Sequence, residues 1–274
     1  IKRMIMSKIV VLGAGIAGHT AAAHLRRKLS NEHEVLVVSP NRNYQWVPSN
    51  IWVGIGRMKP KDVIFPLEPL YKRKGIGYKQ SKVVSFHPEG DAAETKPFVL
   101  VEGVYGDTLG KKEKVTYDYL INATGPKLAF DMTEGLNPGT NKAYSVCTYD
   151  HAIHASDALH QLIDQLKKSD TKVKILIGTG HAKATCQGAA FEYILNVEKE
   201  LQKFGVRDKA EITWISNEYK LGDFGMDGML LDYGGINMKS CEMVEMIFED
   251  LDIKWILGAG VRKVEEGLVE YENL

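Results

Sequence analysis

Hydrophobic positions along this chain fall into short unbroken runs rather than strict alternation. Ile9-Val10-Val11-Leu12, Val35-Leu36-Val37-Val38 and Ile175-Leu176-Ile177 are each bounded by polar or glycine residues. Continuous apolar runs of this length, closed by turn residues, predict strands buried on both faces. After the first run, small and apolar residues at helical spacing predict a helix from His19 to Lys28, and a second strand follows from His33 to Val38. Residues 57–75 are basic and interrupted by proline, which leaves room for one short helix, Leu67 to Lys74. Strand-like runs at Lys82 to Phe86, Phe98 to Glu102 and Val115 to Ala123 then suggest an antiparallel meander. A connector rich in Gly, Asn and Pro occupies Pro126 to Val146, and a domain boundary near residue 135 is expected there, giving domains 1–135 and 136–274. Thr148 and Asp150 can cap a helix running to about Gln165. The second half predicts a strand from Lys172, a helix from Lys183 to Phe204, a strand from Glu211 to Ser216, a loop over 221–235, a helix from Ser240 to Leu251, a strand from Ile253 to Leu257, and a small β meander from Val261 to Tyr271.

The first run leads into Gly13-Ala14-Gly15-Ile16-Ala17-Gly18. A buried strand, G-x-G-x-x-G and a helix together form the fingerprint of a dinucleotide-binding βαβ unit. Gly13 suits the tight turn, Gly15 a close backbone approach to a pyrophosphate, and Gly18 tight helix–strand packing. At the end of the second strand, where an acid for the ribose is usual, the chain has Ser39-Pro40-Asn41. Their polar groups can still reach a ribose. The loop Tyr44-Gln45-Trp46-Val47-Pro48 offers aromatic residues that either line a flat ring or cover the sheet edge. Tyr119-Leu120-Ile121-Asn122-Ala123-Thr124-Gly125-Pro126 is a buried strand stopping at small residues, which lets the chain pass close to a cofactor. The opening pattern recurs at Ile175-Leu176-Ile177-Gly178-Thr179-Gly180, but Lys183 stands at the third glycine position. The expectation is an α/β protein of two Rossmann-like units, the second with its nicotinamide nucleotide site impaired.

Composition narrows the classes. The 274 residues carry 35 basic and 35 acidic side chains, so nothing favours nucleic acid. No apolar run reaches the ~20 residues of a membrane span. Lys2-Arg3 before an apolar run imitates a signal peptide, but Gly13, Gly15 and Gly18 interrupt it and no cleavage pattern follows. The first five residues precede Met6-Ser7-Lys8 and read as an extension. His151 and His154 lie one helical turn apart with no third ligand near, so no metal is expected. The three cysteines, Cys147, Cys186 and Cys241, are too widely spaced for a zinc pattern. Cys186, early in a predicted helix with Lys183 one turn before it, is either a thiol in a setting that favours the thiolate or a small buried residue. Cys147 invites the same two readings more weakly, and Cys241 reads as core.

Beyond these patterns, the strings Gln45-Trp46-Val47-Pro48-Ser49-Asn50, Gly125-Pro126-Lys127-Leu128-Ala129-Phe130, Cys147-Thr148-Tyr149-Asp150-His151-Ala152 and Cys186-Gln187-Gly188-Ala189-Ala190-Phe191-Glu192 are specific. Through them, nearly the whole chain resembles the sulfide:quinone oxidoreductase family, membrane-peripheral relatives of the glutathione reductase-like flavoproteins. The resemblance implies FAD on the first unit, with contacts from Gly13, Gly15, Ile16, Ala17 and Gly18. It adds Ser39, Pro40 and Asn41, then Val47, Pro48 and Val84, then Ala123, Thr124, Gly125 and Pro126. It implies sulfide and quinone as partners. Cys186 is implied as one of two redox cysteines and Cys147 as the third family cysteine, with His151 beside it and Glu192 relaying protons. The alternatives are the flavoprotein subunit of flavocytochrome c sulfide dehydrogenase, a type II NADH:quinone dehydrogenase, and a degenerate flavin-binding module. The family's second redox cysteine, last flavin segment, quinone pocket and membrane-binding helices match nothing here. We therefore expect a chain lacking the C-terminal third, inactive as it stands, its membrane contact residing in that absent region. The oligomeric state stays open, a homo-oligomer included.

Overall fold

The computed structural model describes residues 6–140 and 142–274, so the expected extension over residues 1–5 lies outside the described part. Two compact units form: residues 1–46 with 64–127, and residues 47–63 with 128–274.

The first unit is built on a six-stranded sheet. Its spatial order is Lys112–Thr116, Phe98–Gly103, Gly77–His87, Glu34–Ser39, Lys8–Leu12, Tyr119–Asn122. Four neighbouring strands, from Gly77–His87 to Tyr119–Asn122, run parallel; the remaining pairs are antiparallel. The continuous apolar runs follow from burial on both faces. Val11, Val35 and Val37 pack with Ala22 of helix Ile16–Lys28 and with Leu67 and Tyr71 of helix Leu67–Lys74. Val10, Leu12, Leu36 and Val38 face the other way, onto Val99, Val101 and Val115.

The run Val115 to Ala123, read as one strand of a meander, is two strands. Lys112–Thr116 and Tyr119–Asn122 are the opposite edges of the same sheet, so the chain has to leave one edge and cross to the other. The crossing falls at Tyr117-Asp118, where the Asp118 carboxylate accepts the Lys8 backbone N–H at 2.7 Å.

The second unit holds a parallel three-stranded sheet in the order Ile253–Ile256, Ala210–Ile215, Val173–Gly178. Helices Tyr149–Lys168, Gln187–Lys203 and Ser240–Asp250 supply Ile163, Leu166, Ile194, Leu201, Val244 and Phe248 to a core closed by Ile212, Trp214 and Ile253. Arg57 reaches the almost wholly buried Glu200 carboxylate, which Lys203 also pairs at 3.2 Å. The expected loop over 221–235 contains a strand, Leu230–Tyr233, paired with Ile236–Lys239. The turn between them is Gly234-Gly235, both at positive φ, the geometry a two-residue hairpin turn demands. Val261 to Tyr271 belongs to the hairpin Ala259–Glu265 with Leu268–Asn273. Among the described residues no helix is long and apolar enough to cross a membrane, and no cluster of His, Cys, Asp or Glu could hold a metal ion.

Candidate functional site

In the first unit three parallel strands, Glu34–Ser39, Lys8–Leu12 and Tyr119–Asn122, end side by side. The chain order reverses across Lys8–Leu12, which is where open α/β sheets bind ligands. Gly13 turns at φ +92, and a Cβ there would stand 2.2 Å from the Ala123 carbonyl oxygen. A Cβ at Gly18 would stand 2.1 Å from the Gly13 oxygen. Only glycine fits either position, because backbone meets backbone at both.

Gly15 is the N-cap of helix Ile16–Lys28 and has no atom within 4 Å of a built Cβ. Gly15, Ile16 and Ala17 are exposed, and no capping side chain is bound to the helix start. The first turn carries no acid, while Arg26, Arg27 and Lys28 occupy the last. The first N–H groups of a helix have no partner within it, and the macrodipole favours an anion beside them. This cradle, open at Gly15 and lined by unshared N–H groups, fits a pyrophosphate. FAD carries one, so the residues present fit that cofactor.

Around the cradle, Ser39 is almost wholly buried and its hydroxyl accepts the Asn41 N–H at 3.3 Å, leaving Pro40 and Asn41 exposed. The Asn41 carbonyl accepts the Tyr78 hydroxyl, and the Pro40 carbonyl accepts the Gln80 amide. Ala123 follows the third strand end, its N–H bonded to the Leu12 carbonyl at 2.8 Å. Thr124 is held by the Asn122 side chain, which accepts from both its N–H and its hydroxyl. Thr124, Gly125 and Pro126 are exposed. Val84 is exposed at a bulge of strand Gly77–His87. Val47 and Pro48 are exposed in a short 3-10 turn belonging to the second unit.

The second glycine turn is built differently. Gly178 is closed by the Ile215 carbonyl oxygen and Gly180 by a Leu136 methyl. The helix begins only at Gln187, not at the expected Lys183. His181 to Lys183 form a turn instead, in which the Ala184 N–H donates to the His181 carbonyl and the exposed Lys183 N–H to the His181 ring. Cys186 is therefore not inside the helix. It is the N-cap, exposed and left-handed at φ 74, ψ 41. Non-glycine residues seldom adopt this conformation and cluster at functional sites when they do.

Cys147 is exposed, and its N–H donates to the Ser145 hydroxyl at 3.0 Å. Thr148 caps helix Tyr149–Lys168 by accepting the His151 N–H. Although burial raises the Asp150 carboxyl, hydrogen bonds led by the Thr148 hydroxyl hold it below the usual carboxylate range. His151 packs edge-on against Phe130 at 5.3 Å, and its buried Nδ1 has no hydrogen-bond partner among the described residues. Glu192 is exposed on helix Gln187–Lys203, and His154 is exposed. Cys241 is only half-buried, and all three cysteines are free thiols. The sequence reading passed over Asn122 and Asn217; both are short polar residues just after a buried strand, where a side chain can bond the next turn of backbone.

A family profile described as "Pyridine nucleotide-disulphide oxidoreductase" matches residues 7–193. The chain is 30% identical over 97% of its length to the sulfide-quinone reductase of Aquifex aeolicus, covering 54% of that protein. It is 28% identical over 77% of its length to the mitochondrial sulfide:quinone oxidoreductase of Dictyostelium discoideum, covering 42% of it. The X-ray structure of the sulfide:quinone oxidoreductase from Aquifex aeolicus superposes on 98% of the chain and 55% of that structure, with a TM-score of 0.78 at 30% identity. The chain thus spans about half the length of the curated relatives it matches. With the profile covering both glycine turns and Cys186, this chain belongs to the pyridine nucleotide-disulphide oxidoreductases, a family of FAD-binding flavoproteins.

Proposed function

We propose that the whole protein oxidises sulfide to polysulfide or sulfur and passes the electrons through FAD to quinone. The observation that carries this reading is Cys186, an exposed thiol held left-handed at the N-cap of helix Gln187–Lys203. FAD, when bound, supplies the two-electron acceptor; Gly15, Ile16, Ala17 and Gly18 would hold its pyrophosphate. Cys186 carries the sulfur being oxidised, because a helix N-terminus favours the thiolate that exchanges sulfur. Cys147 assists sulfur handling, and the capped helix start fixes it next to His151. His151 and Glu192 move protons released from sulfide. Sulfide gives up two electrons and its protons as it becomes zero-valent sulfur, and quinone takes up both electrons to become quinol. The protein is proposed to work as two domains, 1–135 and 136–274, at a membrane surface. Lys183 and the helix start delayed to Gln187 favour sulfide over NADH as the reductant.

Anaerobic sulfide should bleach the 450 nm-region absorbance of the FAD-loaded protein, and NADH should not. Bleaching by NADH alone moves the assignment to a NADH:quinone dehydrogenase. A Cys186→Ala variant reduced by sulfide at the unaltered rate removes Cys186 from the chemistry.

A further inference from the structure

Asn217 follows strand Ala210–Ile215, and its side chain is spent entirely on the segment that carries Cys186. The amide Nδ2 donates to the carbonyls of Ala182 and Ala184, both at 2.9 Å. Its Oδ1 accepts the Gln187 amide at 3.0 Å and the Thr179 hydroxyl at 3.3 Å. An asparagine side chain offers two donors and an oxygen with two lone pairs, and all are used here. Thr179 and Gln187 are buried, so these bonds are shielded from water. The four contacts bracket Cys186, with Ala184 two residues before it and Gln187 directly after.

We propose that Asn217 is the positioning residue for the Cys186 thiol, holding residues 182–187 off the helix so that Cys186 stays left-handed and exposed. The role named here rests on the proposed sulfide chemistry only for its purpose. The physical argument is that a positive φ at cysteine is uphill, so the segment keeps it only while something over-determines it. Continuing the helix backward through Ala184 and Lys183 would relieve that cost. It is blocked because the Ala182 and Ala184 carbonyls are already taken by the Asn217 amide. Released from the bracket, Cys186 winds into the helix and is presented less.

The test is the rate at which N-ethylmaleimide modifies Cys186, read peptide by peptide by mass spectrometry, with Cys147 and Cys241 in the same molecule as internal references. Asn217→Ala removes all four bonds. Asn217→Asp keeps the size and the acceptors but loses both donors. Each should lower the Cys186-to-Cys147 rate ratio by about tenfold, the scale of losing buried hydrogen bonds. Thr179→Val removes one bond and should lower the ratio by about threefold. The proposal is overturned if the ratio holds or rises in both Asn217 variants, or if all three thiols speed up together, since that is general loosening. The labelling result is independent of sulfide turnover. Flavin bleaching that ignores Cys186 removes the chemical reading and leaves the positioning role standing, while an unmoved ratio does the reverse.

Discussion

The turn after strand Lys8–Leu12 and the turn after strand Val173–Gly178 share their first two glycines and diverge over the next few residues. In the first, the helix starts at Ile16 directly behind Gly15, so the unshared N–H groups face an open cradle. In the second, Leu136 closes over Gly180, and the helix waits until Gln187. The intervening residues make a turn that Asn217 fastens and that ends on a thiol. The difference teaches that the third glycine matters through where it lets the helix begin. Gly18 touches the Gly13 backbone, so the helix enters at once; Lys183 cannot do this, and the chain spends the extra residues presenting Cys186.

The sharpest way to break this comparison is Gly18→Ala. The new methyl would meet the Gly13 carbonyl oxygen, and the change should cost about 3 kcal/mol, seen as a lower melting temperature together with lost FAD retention. An undiminished flavin content would remove the close approach from the argument. Arg57→Ala leaves Glu200 buried with only Lys203 for charge and should cost about 2 kcal/mol in urea unfolding. That result would show that helix Gln187–Lys203, whose start is late, is anchored further along its length. Thr148→Ala deletes the cap of helix Tyr149–Lys168 and should cost about 1 kcal/mol.

A pH series sharpens the support of the second turn. Burial raises the Glu218 carboxyl above the usual range, while the Ser216 hydroxyl and the Phe224 N–H donate to it. A raised carboxyl pKa means the folded state holds its proton longer than the unfolded state does. Its contribution is therefore full at acid pH and lost as pH rises through the folded-state value. Glu218→Gln should flatten that decline; an unchanged slope would assign it to other groups. The smallest effect is expected from Lys183→Gly at an exposed position: stability within about 0.5 kcal/mol and no NADH binding by titration, because the helix start stays at Gln187.

Much of this fold could be read from residues that permit few alternatives. Gly13 and Gly18 are legible because backbone contacts exclude every side chain, and helix Leu67–Lys74 matched its prediction end to end. The break at Tyr117-Asp118 was hidden, since neither residue disfavours a strand; only the distance between the sheet's two edges forces the crossing. The Gly234-Gly235 hairpin was present in the sequence as a turn signal and was absorbed into a loop reading. The delayed helix start was invisible because Lys183, Ala184 and Thr185 tolerate a helix. What stops it is an asparagine beyond the next strand, a long-range bond that no local pattern reveals.

The conformation of Cys186 sets protein longevity against reactivity. Glycine would occupy φ 74 at no steric cost, so Cys186→Gly would relax the backbone by up to about 1 kcal/mol while erasing the sulfur. Any programme that selects variants of this chain for heat tolerance alone would thus drift toward a hardier and chemically silent protein.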